Sequence, residues 1–504
     1  MALYQKKNSK RNYYHFMPVK MTESENQLAI YENVIENKNN ITIEATAGSG
    51  KTTTLIGCSN LIPKEAKAIF LSFNKSIVEE LKTKIRDGVD CSTLHSKGIS
   101  FLYQHYGKIK VNDNKSFTFS DGFAKNKIKD FKKRFVLQIK IDEILKYSRM
   151  AMLSKYDEEG LCEIADIYGL DSSDDVLKGA IETYSKMSKY NEVKIRTGEF
   201  MVDFVDMVYL PAKYDIKVSQ YDYVLIDECQ DLSAMDLVLI HKLRGVNGRF
   251  IAVGDPYQNI YLFAGASSTA YESIKSYSNT VTLPLSVSYR CSKQVVLEAR
   301  RYCETINHTE TAIEGEVRWG TLDEVCNGDF VLCRNTKPLL DVYFSLVDRN
   351  VKCSIAGKDI EKKVSQVIKK YKDFRLSTLL EKLEDELLSV ESTLLKRGIS
   401  KPEKHKNYIA IEERNDILKL LSSKSNSMSD LKELISSIFK EDTDGVRLMT
   451  IHRSKGLEAE NVFLARPDLI PSKYAETDLE VIQEGNLMFV AITRAKNKFI
   501  YLSN

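Results

Sequence analysis

The sequence predicts an α/β protein: parallel sheets flanked by helices, in two units that are each interrupted by a mostly helical insertion. Three observations carry that prediction. A β-branched run, Ile41-Thr-Ile43, feeds into Ala45-Thr-Ala-Gly-Ser-Gly-Lys-Thr-Thr-Thr54 and then a helical stretch. A second apolar run, Tyr223-Val-Leu-Ile226, closes in Asp227-Glu228. From Phe330-Val-Leu-Cys333 the strand–helix alternation starts afresh, breaks off over 360–440 and resumes at Val446. Short strands alternating with helices are the mark of βαβ units, which bury a parallel sheet between helical layers.

Composition narrows the class. At 504 residues the chain has room for about three or four domains of roughly 150 residues. A hydrophobic fraction of 43% is ordinary for a protein with large cores. No stretch approaches the ~18 apolar residues of a membrane helix, and the N-terminus lacks the apolar segment of a secretion signal. A cytoplasmic or nucleoid-associated protein with no membrane partner is expected. The nine cysteines lie scattered from Cys58 to Cys353 with no CxxC pair. They read as buried or free thiols in a reducing compartment, not as zinc ligands or a disulfide framework. The net charge is only +3, so nucleic-acid binding would have to come from local patches.

Residues 1–21 carry Lys6, Lys7, Lys10, Arg11 and Lys20 among Tyr4, Tyr13, Tyr14 and Phe16. The stretch reads as a solvated tail first and as a nucleic-acid arm second. Thr22 to Tyr31 reads as a capped helix bearing Gln27. In the loop that follows, Gly48 and Gly50 let the backbone curl so that several N–H groups face one anion. Lys51 supplies a point charge for outer phosphates, Thr52 a hydroxyl for Mg²⁺, and a helix opening at Thr52 its positive dipole end. The pattern is a nucleotide-phosphate loop with contacts expected from Ala47, Gly48, Ser49, Gly50, Lys51, Thr52 and Thr53.

Ala68 to Ser72 and Cys91 to His95 read as the next strands. Ligands of parallel sheets sit at the carboxyl ends of the strands, which places Phe73, Asn74, Thr93 and His95 on the working rim. Taken singly, each reads better as a helix cap or a satisfied core residue. After the strand at 223–226, Asp227 would hold Mg²⁺ through water and Glu228 would polarise an attacking water. About 175 residues separate this pair from Lys51, far more than βα connections need, so an insertion is expected at 99–199. It contains Lys125, Lys127, Lys129, Lys132, Lys133 and Arg134 around Phe131 and Phe135. Two readings stand: a solvated helix face with the Phe residues packed inward, or cations that track a phosphate backbone.

Phe250 to Val253 is a further strand, followed by Gly254-Asp-Pro-Tyr-Gln258 and Tyr261 to Ala266. Val281 to Cys291 brings the pair Tyr289-Arg290. The second unit has strands at 330–333, 351–355 and 446–452, then Arg453-Ser-Lys-Gly-Leu-Glu458, a helix through Glu484 to Arg494, and a last strand at 499–502. Between them Leu376, Leu380, Leu383, Leu387, Val390 and Leu394 form a helical stripe. It reads first as the packed face of a helical insert and second as a partner coiled coil.

These segments, in this order, resemble the UvrD/Rep/PcrA family of superfamily 1 DNA helicases through both strand–helix units, with wording similar to the compact branch near the F-box DNA helicases. The resemblance implies two RecA-like domains that clamp ATP and Mg²⁺ between them. The first comprises 22–98 and 200–285 with insertion 99–199; the second comprises 286–359 and 441–504 with a reduced insertion at 360–440. It implies that Gln27 reads adenine and Tyr289 stacks on it. Lys51, Thr52, Asp227 and Glu228 take the phosphate, Mg²⁺ and base roles, and Gln258 senses the terminal phosphate. Arg290 and Arg494 match arginine fingers and Glu458 the residue that binds the nucleotide sugar. Phe73, Asn74, Thr93, His95, Phe263 and His452 match positions along the strand path. Phe263 and Ala264 stand where many relatives have Trp and Arg, Cys229 replaces the usual Ala, and Ala459 an aromatic. The implied activity is ATP-driven 3′→5′ movement on single-stranded DNA with separation of duplex strands at ss/dsDNA junctions. The missing Arg at 264, the reduced insertion and the leucine stripe leave room for an ATP-gated single-stranded-DNA-binding subunit of a larger complex without unwinding, with a partner protein through 360–440; an RNA translocase is a third, weaker reading.

Overall fold

The candidate phosphate loop leaves a strand next to the edge of a six-stranded parallel sheet. A computed structural model describes residues 23–73, 75–194, 199–260, 270–371, 375–396, 399–439, 444–475 and 477–503. The chain enters as α1 (Glu25–Glu36), β1 (Asn40–Ala45), α2 (Lys51–Leu61), β2 (Ala68–Leu71), α3 (Lys75–Lys84), β3 (Val89–Ser92) and α4 (Leu94–Tyr106). An excursion follows: β4 (Ile109–Val111), α5 (Lys115–Lys127), α6 (Phe131–Met150), α7 (Glu158–Tyr168), α8 (Asp174–Lys194), β5 (Phe200–Val202) and α9 (Asp206–Lys213). β6 (Tyr221–Ile226), α10 (Ala234–Leu243), β7 (Arg244–Gly254), α11 (Ala270–Lys275) and β8 (Thr280–Leu285) complete the sheet in the order β3-β2-β6-β7-β1-β8. All its pairings are parallel.

Period-two alternation divides these strands between two cores. Ile41, Ile43, Phe70, Leu225, Ile251 and Val253 meet Ile30 and Val34 of α1 and Leu55 of α2. Ile69, Leu71, Val224, Ile226 and Ala252 meet Phe101 of α4, Leu210 of α9 and Leu239 of α10. Helices on both faces are why the strands read as continuous apolar runs. α1 is capped by Ser24 rather than Thr22, in a reciprocal box with Gln27. α2 opens at Lys51, one residue before the position expected from sequence. β3 ends at Ser92, and Thr93 caps α4, so His95 lies on a first helical turn and not at a strand end.

The second half repeats the plan. β9 (Val287–Ser288), α12 (Lys293–Ala299) and β10 (Asn307–His308) lead to β11 (Glu316–Gly320), β12 (Phe330–Cys333), α13 (Thr336–Asp348) and β13 (Cys353–Ile355). Then come α14 (Lys358–Lys370), α15 (Leu376–Lys396), α16 (Lys406–Ser423) and α17 (Met428–Ile438). β14 (Val446–Thr450), α18 (Ile451–Ser454), β15 (Ala459–Leu464), α19 (Asp478–Ile492) and β16 (Ala495–Leu502) close a second parallel sheet, ordered β11-β16-β15-β12-β14-β13. β16 begins four residues before the expected start, and His452 falls on α18 rather than on the strand. The leucine stripe of α15 is turned onto its own chain. Leu383 of the stripe and its neighbour Leu379 share one core with Leu339 and Leu340 of α13, Leu418 of α16 and Leu448 of β14, and Leu376 and Leu380 pack against it partly buried. Its N-terminal half thus follows the packed-face reading, while Leu387 and Val390 further along are half-buried.

In the excursion, α5 to α8 enclose a small core around Phe123, Ile141, Ile144, Leu161 and Leu177. Phe131 and Phe135 are not part of it; they are exposed. Asp130 caps a new helix at Phe131, so the two rings do not extend the inward stripe of α5. No helix among the described residues is long and apolar enough to cross a membrane.

Candidate nucleotide site and strand path

The loop between β1 and α2 is shaped by two glycines that no other residue replaces without strain. Gly48 and Gly50 have φ of 70° and 80°, a region open to glycine and costly for most side chains. A Cβ on Gly48 would also lie 2.6 Å from Cβ of Arg290 and 2.8 Å from Oγ of Ser288. The loop therefore touches the segment that leads into the second sheet, and the Tyr289 N–H donates to the Gly48 carbonyl at 2.9 Å. Gly50 ends the loop, and the first turn of α2 leaves its N–H groups without helical acceptors, as an anion site requires.

Four side chains close the near half of the site. Lys51 Nζ sits 2.8 Å from Glu228 Oε2, and Thr52 Oγ1 donates to Asp227 Oδ2 at 2.8 Å. Gln230 Nε2 donates to Glu228 at 2.6 Å. Glu228 occupies the left-handed region, φ 51°; such strain in a non-glycine residue is held only where its surroundings over-determine it. Burial opposes the Glu228 charge, but Lys51 outweighs it and holds the carboxyl down to about 2. Burial, together with the Glu228 charge, pushes Asp227 up to about 6. Burial also lifts Asp255 to about 6, where it accepts from Gln258 Nε2 at 2.8 Å.

The far half comes from the second sheet. Arg290 pairs with Glu458 at 2.7 Å, and Lys496 holds the same carboxylate at 2.9 Å. Arg494 is buried; its donors reach Val490 O, Leu457 O and Thr493 Oγ1 at 3.1 to 3.3 Å. Among the described residues it forms no ion pair. Burial, with the Arg290 charge nearby, pulls its pKa down to about 10 against the weaker opposing pull of Asp255 and Glu228. Gln27 lies on the other side of the loop. Its Nε2 donates to Thr54 Oγ1 at 3.0 Å, and its Oε1 accepts from the Ser24 N–H. Tyr289 is partly exposed beside Gly48. The structure thus brings Lys51, Thr52, Asp227, Glu228, Gln258, Arg290 and Arg494 around one loop. It ties Glu458 to two cations at the edge.

Thr52 and Asp227 form a hard-oxygen pair at a helix N-terminus, a donor set suited to Mg²⁺ carried by phosphates. The loop N–H groups, Lys51 and Arg494 suit the phosphates themselves.

On the rim, Phe73 is exposed, while Thr93 donates to Ser96 Oγ at 2.9 Å as part of its cap. His95 stacks on Phe204 with centroids 4.0 Å apart, and burial lowers its pKa to about 4. Burial and the Arg334 charge do the same to His452. Asn74, Phe263 and the 1–21 arm lie outside the described residues. Three further residues join these groups without having stood out in the sequence. Phe204, 57% exposed, covers His95. Arg334, just past β12, chelates Glu484 at 2.6 to 3.1 Å beside His452. Lys455, just after α18, crosses to the first sheet, binding both Asp231 oxygens at 2.7 and 2.8 Å and the Gln258 carbonyl at 2.8 Å. The sequence signal for Arg334 was its place at a strand's carboxyl end; Lys455, two residues after Arg453, carries no local signal.

The model of the UvrD/REP helicase N-terminal domain matches residues 24–278, which span α1 through α11 with both halves of the Lys51–Glu228 pair. The chain belongs to this helicase family. A UvrD-like helicase C-terminal domain matches residues 445–500, around β14 to β16 and Arg494. Among similar proteins, F-box DNA helicase 1 of Gallus gallus is 24% identical over 530 residues, covering 95% of this chain and 48% of that protein. F-box DNA helicase protein 1 of Schizosaccharomyces pombe is 24% identical, covering 91% and 55%. The ATP-dependent DNA helicase Rep of Buchnera aphidicola subsp. Schizaphis graminum is 25% identical over 284 residues, 51% of this chain and 41% of that one. The chain spans about half the length of the F-box helicases it matches.

Proposed function

We propose that this UvrD/REP-family chain is an ATP-dependent DNA helicase that moves 3′→5′ along single-stranded DNA and opens ss/dsDNA junctions. Residues 22–98 and 200–285 form one motor domain, with insertion 99–199; residues 286–359 and 441–504 form the other, with insertion 360–440. The observation that carries the reading is Arg494, a buried cation without a carboxylate partner, held by the second sheet at a phosphate loop of the first.

In this reading Lys51 leaves Glu228 for the outer phosphates, and Glu228, freed and ionised, orients the attacking water. Thr52 and Asp227 would hold Mg²⁺, which would supply charge neutralisation to the phosphates. Arg290 and Arg494 stabilise the charge that develops in phosphoryl transfer. Such fingers are worth about 10³–10⁵ in rate. Because the fingers come from the other domain, hydrolysis depends on cleft closure. Lys455, bonded to the Gln258 carbonyl and to Asp231, links that closure to the strand-binding rim. Phe73, Phe204 and the His95 ring lie where bases stack with little regard to sequence.

The test is a tailed-duplex assay on the isolated chain with ATP and Mg²⁺. Release of the strand from a 3′-tailed duplex, and not from a 5′-tailed one, supports the reading. ATP hydrolysis stimulated by single-stranded DNA without strand release supports the ATP-gated binding subunit instead. Stimulation by RNA alone would point to an RNA translocase.

A further inference from the structure

The pair α5–α6 is an arm pinned at one end. Lys115 opens α5 with its ammonium buried against Asp206 at 2.5 Å and Asn191 at 3.0 Å. Arg149, near the end of α6, is buried against Asp203 and the same Asp206 at 2.8 and 2.9 Å. Both outer ends thus meet at one buried ion cluster. The turn between the helices is carried away from it by 13 residues of α5 and 20 of α6. At 1.5 Å per residue that is about 20–30 Å.

The far end presents rings and cations together. Phe131 is 70% exposed and Phe135 47%. Phe135 touches Phe117 at 5.5 Å, and the Arg134 guanidinium lies 5.3 Å from the centre of the Phe131 ring. The neighbouring Lys125 and Lys127 are neutralised by Asp121 and Asp175. Among the described residues no ion pair engages Lys129, Lys132 or Lys133. The one acid in the stretch, Asp130, is occupied in accepting the Lys133 N–H as the helix cap. The insert's core is built from other residues, so neither exposed ring is needed to hold the helices together. In a chain of net charge +3, this end is a local concentration of positive charge.

We infer that the end of the α5–α6 arm binds a single-stranded nucleic-acid segment outside the nucleotide cleft, with Lys129, Lys132 and Lys133 on phosphates and Phe131 and Phe135 against bases. The choice of strand rests on the proposed motor function. The choice of single over double strand rests on the rings, since paired bases offer no open face to stack on.

The test uses the full chain, a K129E/K132E/K133E variant and an F131A/F135A variant. Binding of labelled oligothymidylates of about 10 and about 40 nucleotides is measured by anisotropy over a salt series; the shorter one is within the ~4–16-nucleotide footprint of a single strand-binding fold. The charge reversal should weaken the long oligonucleotide roughly tenfold or more and reduce its log–log salt slope by about 2, at ~0.7 per lost phosphate contact. The ring removal should weaken it roughly fivefold or more without changing the slope. Both variants should keep the parent's affinity for the short oligonucleotide and its thermal midpoint. The inference is overturned if parent and variants bind the long oligonucleotide with equal affinity and slope, or if losses on short and long are equal. Failure of the motor reading would show separately, as parent hydrolysis that neither oligonucleotide stimulates, and the binding comparison would still judge the arm.

Discussion

The two halves of the nucleotide cleft carry charge in opposite ways. On the first sheet, Lys51 and Glu228 neutralise each other at 2.8 Å, and Thr52 and Asp227 satisfy each other. On the second, Arg290 is paired but Arg494 is buried with only carbonyl and hydroxyl acceptors. A buried charge without a counter-charge costs several kcal/mol unless something brings one. On the proposed function, the first half satisfies its own charges and the second would be completed by an incoming phosphate. In that reading hydrolysis would report on closure.

The largest expected effect tests the first half. Glu228→Gln should lower turnover by roughly 10³-fold or more, as for loss of a base and its positioning, while nucleotide binding stays within a few-fold. Normal turnover in that variant would remove Glu228 from the chemistry. Lys455→Ala tests the link between halves: stimulation of hydrolysis by single-stranded DNA should drop roughly tenfold, with basal hydrolysis little changed, because a buried bonded charge pair worth a few kcal/mol joins Asp231 and Gln258 to the second sheet. An equal fall in basal and stimulated rates would make Lys455 a stability residue. Phe204→Ala should weaken single-stranded DNA binding by about 1–3 kcal/mol, read by anisotropy, with nucleotide affinity unaffected. The smallest effect is a null one. His95 and His452 have pKa values lowered to about 4, so each is neutral above that pH and protonates only below it. Strand affinity should then be flat from pH 8 to 5.5 on their account; a rise with a midpoint near 6.5 would mean a histidine charges on the strand.

What could be read in advance divides along the same line. Lys51, Thr52, Asp227 and Glu228 are each announced by an apolar strand ending in residues of one chemistry, and parallel-sheet geometry brings strand ends together. The contacts that join distant segments carry no such local mark. Phe204 meets His95 across the whole excursion, and Lys455 meets Asp231 across 224 residues. Neither side of these pairs is unusual alone. Phe131 and Phe135 were ambiguous because helical spacing predicts burial only while the helix continues. The cap at Asp130 starts a new one and turns both rings outward. His95 was misplaced for a similar reason: Thr93 ends the strand by capping a helix, a choice that Cys-Ser-Thr-Leu-His leaves open.

The central claim is that Arg494, supplied by one sheet, completes a site built on the other. The most direct measurement compares Arg494→Ala with the parent chain in nucleotide binding and in single-stranded-DNA-stimulated hydrolysis. The account predicts a fall in hydrolysis of about 10³-fold or more with nucleotide affinity within about threefold. Hydrolysis unchanged, or affinity lost in the same proportion as rate, would contradict it.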